Sequence, residues 1–189
     1  MTNTKQPKKT AGDSLPGDPN ARDLVAQMVR VDQAGEYGAK RIYEGQLAVL
    51  SGTDAEPVLR EMLDQELGHL DRFNQELADR HIRPTALQPL WHIAGFALGA
   101  STALLGRDAA MACTVAIEEV IDEHYAVQAA ALGDDETELR DTIEEFRADE
   151  QHHREVGLAE GAENAPAYPL LTGAIKTGSR LAIWLSTRF

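Results

Sequence analysis

Two short stretches, Glu66-Leu-Gly-His69 and Glu150-Gln-His-His153, constrain this chain more than any other feature. On a helix, residues three apart lie on the same face, so each stretch points a carboxylate and an imidazole the same way. Both pairs fall on stripes that are otherwise apolar. The first stripe runs Leu59, Leu63, Glu66, Leu70, Phe73, Leu77, with Met62 and His69 alongside. The second runs Leu139, Ile143, Phe146, Glu150, His153, Gly157. An ionised carboxylate facing a core loses its water at a cost of several kcal/mol unless something replaces that water.

Two more carboxylates repeat the conflict. Glu36 precedes the first pair by 30 residues, on a stripe of Val25, Val29, Asp32, Ala39, Tyr43, Leu47 and Leu50. Glu118 precedes the second pair by 32 residues, on a stripe of Met111, Thr114, Ile121, Tyr125 and Gln128. The chain therefore reads as two halves. Each is a helix with a lone glutamate followed by a helix with Glu-x-x-His. Four glutamates and two histidines facing one core, with few basic partners, call for a cation that the sequence does not encode. This is the ligand set of the carboxylate-bridged di-iron four-helix bundles. Its hard oxygen donors favour iron or manganese over zinc.

Helical periodicity extends from Ala21 to Leu50, from Pro57 to about Leu77, from about Arg107 to Leu132, after the short turn Gly133-Asp134-Asp135 to about Glu160, and over 170–185. No segment sustains two-residue alternation, so the expected fold is all-α. At neighbouring positions the spacing selects one candidate. Glu118 shares a face with Met111 and Tyr125, whereas Glu119 lies with Asp122 and Glu123 on the wetter side. His153 is three residues from Glu150 and His152 is not. Asp149 is placed to accept a hydrogen bond from a ligating histidine, or to be an exposed helix residue. His124 and Tyr125, one to two turns beyond Glu118, are candidates to line a cavity above the metals, with plain core the other reading for Tyr125. His81 and His92 read as loop and interfacial residues without chemistry.

The charge balance, 18 Lys plus Arg against 31 Asp plus Glu, gives a net charge of −13, which excludes nucleic acid as a main partner. A single cysteine, Cys113, excludes an internal disulfide and a Cys-based zinc finger. Residues 1–20 carry Lys5, Lys8, Lys9, Pro7, Pro16 and Pro19 with almost no large apolar residue, and are expected to be a disordered tail before a single domain at 21–189. The tail has neither a secretory apolar segment nor the pattern of a transit peptide, which points to a bacterial chain facing the cytoplasm, with a processed organellar chain as the other reading.

Leu90 to Leu105 is an uncharged run of 16 residues, short of the ~20 that span a bilayer. Gly95-x-x-x-Gly99 inside it allows another helix to approach closely. Two readings stand: a buried packing helix, or an interfacial helix with one face in lipid and Trp91 and His92 near the headgroups. The last helix repeats the theme with Leu170, Leu171, Ile175, Leu181, Trp184 and Leu185, plus Lys176, Arg180 and Arg188. Two such helices beside one bundle would form an apolar entrance for a lipid-soluble substrate.

A set of longer segments resembles one family, the COQ7-type demethoxyubiquinone hydroxylases. They are Arg30-Val-Asp-Gln-Ala-Gly-Glu-Tyr-Gly-Ala39, Arg41-Ile-Tyr43, Asp64-Gln-Glu-Leu-Gly-His69, Pro89-Leu-Trp91 and Gly95-Phe-Ala-Leu-Gly-Ala100. Thr102-Ala-Leu-Leu-Gly106, Met111-Ala-Cys-Thr-Val115, Glu118-Glu119, His124-Tyr125, Ala165-Pro-Ala-Tyr168 and Arg180-Leu-Ala-Ile183 continue the match, which covers roughly 21–189. Position 123 is Glu where relatives often have His.

The resemblance implies a ferritin-like four-helix bundle with additional apolar, membrane-interfacial helices. It implies an O2-dependent di-iron monooxygenase that hydroxylates the ring of 2-polyprenyl-3-methyl-6-methoxy-1,4-benzoquinol in ubiquinone biosynthesis. Carried onto this chain, Glu36, Glu66, His69 and Glu150 would bind one iron ion. Glu118, Glu150, His153 and Glu66 would bind the other, with Glu66 and Glu150 bridging. It further implies a peripheral protein on the cytoplasmic face of the bacterial inner membrane, with an accessory lipid-binding protein of ubiquinone biosynthesis and a homo-oligomer as candidate partners. Electrons would come from NADH or the quinol itself. With no Gly-x-Gly-x-x-Gly loop in the sequence, a tight NAD site is not expected. The competing readings are another di-iron enzyme, such as a ferroxidase or a tRNA hydroxylase, and a metal-free membrane-associated helical scaffold.

Overall fold

A computed structural model describes residues 20–189 as six helices with no strand among them. The expected tail lies outside the described residues except for Asn20. That residue belongs to the fold, since its side chain accepts a hydrogen bond from the Asp23 amide at 2.9 Å and caps the first helix. The helices are α1 (Ala21–Leu50), α2 (Glu56–Asp79), α3 (Gln88–Leu104), α4 (Arg107–Ala131), α5 (Thr137–Ala159) and α6 (Tyr168–Ser186). Pro57, Pro89 and Pro169 open α2, α3 and α6, where a missing amide proton is no loss. Gly106 sets the turn into α4 at a φ of 115°, a backbone region that suits only glycine.

The helices pack as two equivalent halves. In one, α1 folds back on α2 and carries α3 on another face. In the other, α4 packs on α5 and carries α6. The stripes identified from periodicity are the buried faces: every residue named on the α1 and α5 stripes is buried. Three apolar clusters result, the smallest joining Ile42, Cys113, Ala116, Ile117 and Ile175, and the two larger ones flanking the centre. One of the larger joins Tyr43, Leu47, Leu59, Met62, Met111 and Val115; the other joins Val25, Val29, Phe73, Leu77, Tyr125, Ile143 and Phe146. The six glutamate and histidine positions lie between the two larger clusters in the chain order of α1, α2, α4 and α5. The backbones of α2 and α5 do not approach closely, and these helices meet through their side chains.

The apolar run becomes α3, and one of its faces packs directly on the backbone of α1. A Cβ on Gly99 would collide with the Ile42 carbonyl, one on Gly45 with the Phe96 carbonyl, and one on Gly95 would lie 2.9 Å from the Gly38 carbonyl. The opposite face is bare: Leu90, Ile93, Leu104 and Leu105 are exposed. α6 is similar, with Ile175 buried and Leu170, Leu181 and Trp184 exposed. No helix among the described residues is long and apolar enough to cross a membrane. Two of the three cations noted at this end of the chain pair with α4, Lys176 with Glu119 and, at the surface, Arg180 with Glu123 at 2.9 Å. Arg188 lies over the Trp184 ring at 3.9 Å.

Candidate metal centre

The six residues singled out by spacing come together at the centre of the bundle. Glu66 and Glu150 are fully buried, Glu36, Glu118 and His153 are 1% exposed, and His69 is 4% exposed. They form two overlapping groups, Glu36–Glu66–His69–Glu150 and Glu66–Glu118–Glu150–His153, each with one donor atom per residue inside 4.8 Å. Glu66 and Glu150 belong to both. The His69 Nδ1 atom lies 3.3 Å from Glu150 and 3.7 Å from Glu36. The His153 Nδ1 atom lies 3.2 Å from Glu150 and 3.3 Å from Glu66. Among the described residues, no Lys or Arg pairs with these carboxylates, and the basic groups beside them are the two imidazoles.

The electrostatics record the strain of gathering four carboxylates. Burial, and then the charges of Glu150, Glu36 and Glu118, push the Glu66 carboxyl well above its ordinary range. Burial and Glu150 do the same to Glu118. Burial also raises Glu150, against the pull of His69. Burial opposes ionisation of Glu36 as well, but contact with His69 outweighs it and the net shift is downward. Burial would favour neutral His69, yet Glu150 and Glu36 hold its proton up to about 11. His153 moves the other way, lowered first by burial.

The cluster also holds unanswered polar atoms. Glu36 Oε2, both Glu66 oxygens, Glu118 Oε2, Glu150 Oε1 and His69 Nδ1 are buried with no hydrogen-bond partner. A buried acceptor left unmade costs about 1–3 kcal/mol, more when charged, so this concentration is unstable unless a cation answers it. Each of the two groups could hold a metal ion, and its carboxylate oxygens suit a hard cation.

Around this centre the structure supplies partners that periodicity did not reveal. The Tyr43 hydroxyl donates to Glu118 at 2.7 Å, and the Tyr125 hydroxyl donates to Glu36. Each tyrosine thus crosses to the lone glutamate of the other half. His69 Nε2 lies 3.1 Å from Asp149 Oδ2, so Asp149 takes the histidine-partner role foreseen for it. His153 Nε2 lies 2.6 Å from Gln65 Oε1, a contact that Gln65, partly exposed beside Glu66, gave no reason to expect. His152 is exposed, as its spacing implied. His92 lies within α3, and its Nδ1 is 2.7 Å from the Tyr37 hydroxyl oxygen.

Asp32 was visible on the α1 stripe but had no assigned partner. It is buried, accepts from Gln128 Nε2 at 2.7 Å and lies 3.4 Å from His124 Nε2. Burial raises its carboxyl, with His124 and Gln128 pulling the other way. Asp32, Glu36, His124 and Tyr125 all line a partly open cavity of about 580 Å³ between α1, α3, α4 and α6. Its remaining wall is overwhelmingly apolar, including Leu98, Ile117, Leu171 and Ile175. The cavity runs from the cluster to Trp91 and Ser186, which are hydrogen-bonded to each other at 3.0 Å.

Comparison with known proteins agrees with this geometry. Residues 23–186 match the family model described as "Ubiquinone biosynthesis protein COQ7". A Rhodospirillum rubrum protein named 3-demethoxyubiquinol 3-hydroxylase is 60% identical over 182 residues, covering 96% of this chain and 86% of its own length. A human mitochondrial protein named NADPH-dependent 3-demethoxyubiquinone 3-hydroxylase is 50% identical over 172 residues, covering 89% of this chain and 79% of its own length. A Saccharomyces cerevisiae mitochondrial protein named 5-demethoxyubiquinone hydroxylase is 41% identical over 182 residues, 87% of this chain and 78% of its own length.

Proposed function

The chain belongs to the COQ7 family of ubiquinone biosynthesis proteins, and on that premise we propose that it hydroxylates the ring of 2-polyprenyl-3-methyl-6-methoxy-1,4-benzoquinol with O2 at a di-iron centre. The observation that carries this reading is the pair of four-residue groups sharing Glu66 and Glu150, with their unpartnered buried oxygens, at the end of an apolar cavity. Glu36, Glu66, His69 and Glu150 would hold one iron ion, and Glu118, Glu66, Glu150 and His153 the other. When bound, two ferrous ions supply the electrons and O2 activation that no amino-acid side chain can.

The remaining work belongs to the chain. The hydroxyls of Tyr43 and Tyr125 hold Glu118 and Glu36 in place. The apolar wall excludes water and receives the methylated ring and the first prenyl units. Gly35, Gly38 and Gly178 lie along that wall, where two of them, Gly35 and Gly38, bring the α1 backbone beside the Glu36 end. Asp32 Oδ2, a buried acceptor without a partner on the cavity wall, suits a ring hydroxyl donor beside His124. Residues 21–189 act as one catalytic unit in this reading.

The prenyl tail would leave between α3 and α6, whose exposed leucines, with Ile93 and Trp184, would rest on the cytoplasmic face of the inner membrane as a peripheral contact. The decisive experiment incubates iron-loaded protein with the demethoxy quinol, O2 and NADH or NADPH, and follows quinones by mass spectrometry. The expected product gains one oxygen atom. No product from protein that retains two irons per chain would overturn the assignment. For the membrane contact, Leu181→Ser with Trp184→Ser should reduce liposome co-sedimentation, and unchanged co-sedimentation would remove that part of the reading.

A further inference from the structure

The residue immediately before each shared glutamate reaches across the bundle to the histidine of the other half. Gln65 precedes Glu66 and meets His153 Nε2 at 2.6 Å; Asp149 precedes Glu150 and meets His69 Nε2 at 3.1 Å. The two contacts occupy equivalent places in the two halves, but one acceptor is an amide and the other a carboxylate. We propose that Asp149 and Gln65 are positioning residues that make the two metal positions unequal, with the His69 position binding its metal more tightly. The inference rests on the di-iron reading and goes beyond it.

The argument begins with the ring nitrogens. In both histidines Nδ1 faces the glutamates and Nε2 faces outward. The oxygens of Asp149 and Gln65 accept and do not donate, so each Nε2 carries a proton and each Nδ1 is the atom left for a metal. Asp149 and Gln65 thereby fix the tautomer as well as the ring orientation. His69 is held further by stacking on Phe146, ring centroids 3.9 Å apart.

The two acceptors then act differently through the ring. A carboxylate drawing on Nε2–H leaves more electron density at Nδ1 than a neutral amide does, which makes His69 the more basic ligand. A hydrogen bond to an ionised acceptor is roughly twice as strong as one between neutral groups. Opposing this, the Asp149 side chain is 41% exposed and the Gln65 contact is the shorter one. Water weakens the Asp149 contact, but the donor and acceptor remain at hydrogen-bond distance. The difference in formal charge therefore decides the order.

The test is an anaerobic titration of the full-length metal-free chain with Fe2+ or Co2+ against a competing chelator. Wild type should show two binding events of different strength, the tighter one being the event lost in His69→Ala. Asp149→Asn keeps the shape, and should weaken that same event about 10–100-fold while leaving the other unchanged. Gln65→Glu is the reciprocal change, and should strengthen the second event so that the two constants converge. Mössbauer spectra of 57Fe-loaded protein should show two inequivalent ferrous sites, with only one altered in Asp149→Asn. Helix content and melting of each metal-free variant separate these effects from misfolding. Two equal events in wild type, or constants unmoved in both variants, would overturn the inference and leave the di-iron reading intact. Uptake of less than one metal per wild-type chain would overturn both.

Discussion

The half built from α1, α2 and α3 and the half built from α4, α5 and α6 follow one plan and differ in how they carry it out. In both, the first helix holds a lone glutamate with a tyrosine seven residues later, the second holds Glu-x-x-His, and the third is an apolar helix packed on the first. The shared plan places six ligand candidates around one centre. The differences lie outside it. α3 meets α1 backbone to backbone through glycines, while α6 is tied to α4 by Ile175 and the pairs Lys176–Glu119 and Arg180–Glu123. Four residues before the lone glutamate, one half has Asp32 with its Gln128 and His124 partners, and the other has Thr114, buried without a hydrogen-bond partner. Near-symmetry suffices to gather donors for two metals. Departures from it are what can give the cavity a polar end and give the two metal positions separate characters.

The largest test of the shared plan removes a residue common to both groups. Glu66→Ala or Glu150→Ala should eliminate quinol hydroxylation, beyond the ~10–100-fold that loss of an outer hydrogen-bond partner costs. Iron content should fall in parallel while helical circular dichroism persists. Retained hydroxylation in either variant would break the equivalence of the halves at their meeting point.

The next effect separates α3 from α6. Gly99→Ala drives a methyl group into the Ile42 carbonyl and should cost about 2 kcal/mol or more. Gly173→Ala on α6 meets nothing within 4 Å and should gain roughly 0.5–1 kcal/mol from helix propensity. Denaturant unfolding of the two variants measures the difference, and equal costs would mean that α3 is not seated as described.

A third effect appears with pH. Glu66, Glu118 and Glu150 are raised above the ordinary carboxylate range by burial, and His69 is raised to about 11 by its glutamate contacts. In the metal-free chain His69 holds a proton that the unfolded chain has released above its ordinary value, and the raised carboxyls act in the same direction. Their contribution to stability is full below the unfolded values and is lost as pH rises through the folded ones. The lowered values of Glu36 and His153 act oppositely, but they matter only on the acid side. Metal-free protein should therefore melt at falling temperature between pH 7 and 10, by about 1.4 kcal/mol per pH unit for each excess proton. Metal-loaded protein, its protons displaced, should show a flatter profile. A metal-free profile that rises over this range would contradict the assignment.

The smallest effect compares the crossing tyrosines. Tyr43→Phe and Tyr125→Phe each delete one hydrogen bond to a lone glutamate, and each should weaken one metal-binding event by about tenfold. Equal losses would support equivalent halves, and a loss confined to one variant would add a further asymmetry.

Sequence alone carried the helix count, the buried stripes and the six ligand candidates. All of these follow from a local rule: residues three, four or seven apart on a helix share a face whatever that helix touches. The same rule separated Glu118 from Glu119 and His153 from His152. It also flagged Asp149, because a residue beside a ligand is a natural partner for a histidine. Local spacing had nothing to say about which helix faces which, or at what height. Tyr43 reaching Glu118, Tyr125 reaching Glu36, Gln65 reaching His153 and Asp32 meeting His124 all depend on the register between helices far apart in the chain. Close packing of the glycines of α3 against α1, and of Gly157 against Val115, fixes helix against helix inside each half, and those side-chain contacts form only when the two halves meet. The cavity exists only once α3 and α6 are seated beside the lone-glutamate helices. Periodicity determined what had to be buried, and interhelical packing decided what it was buried against.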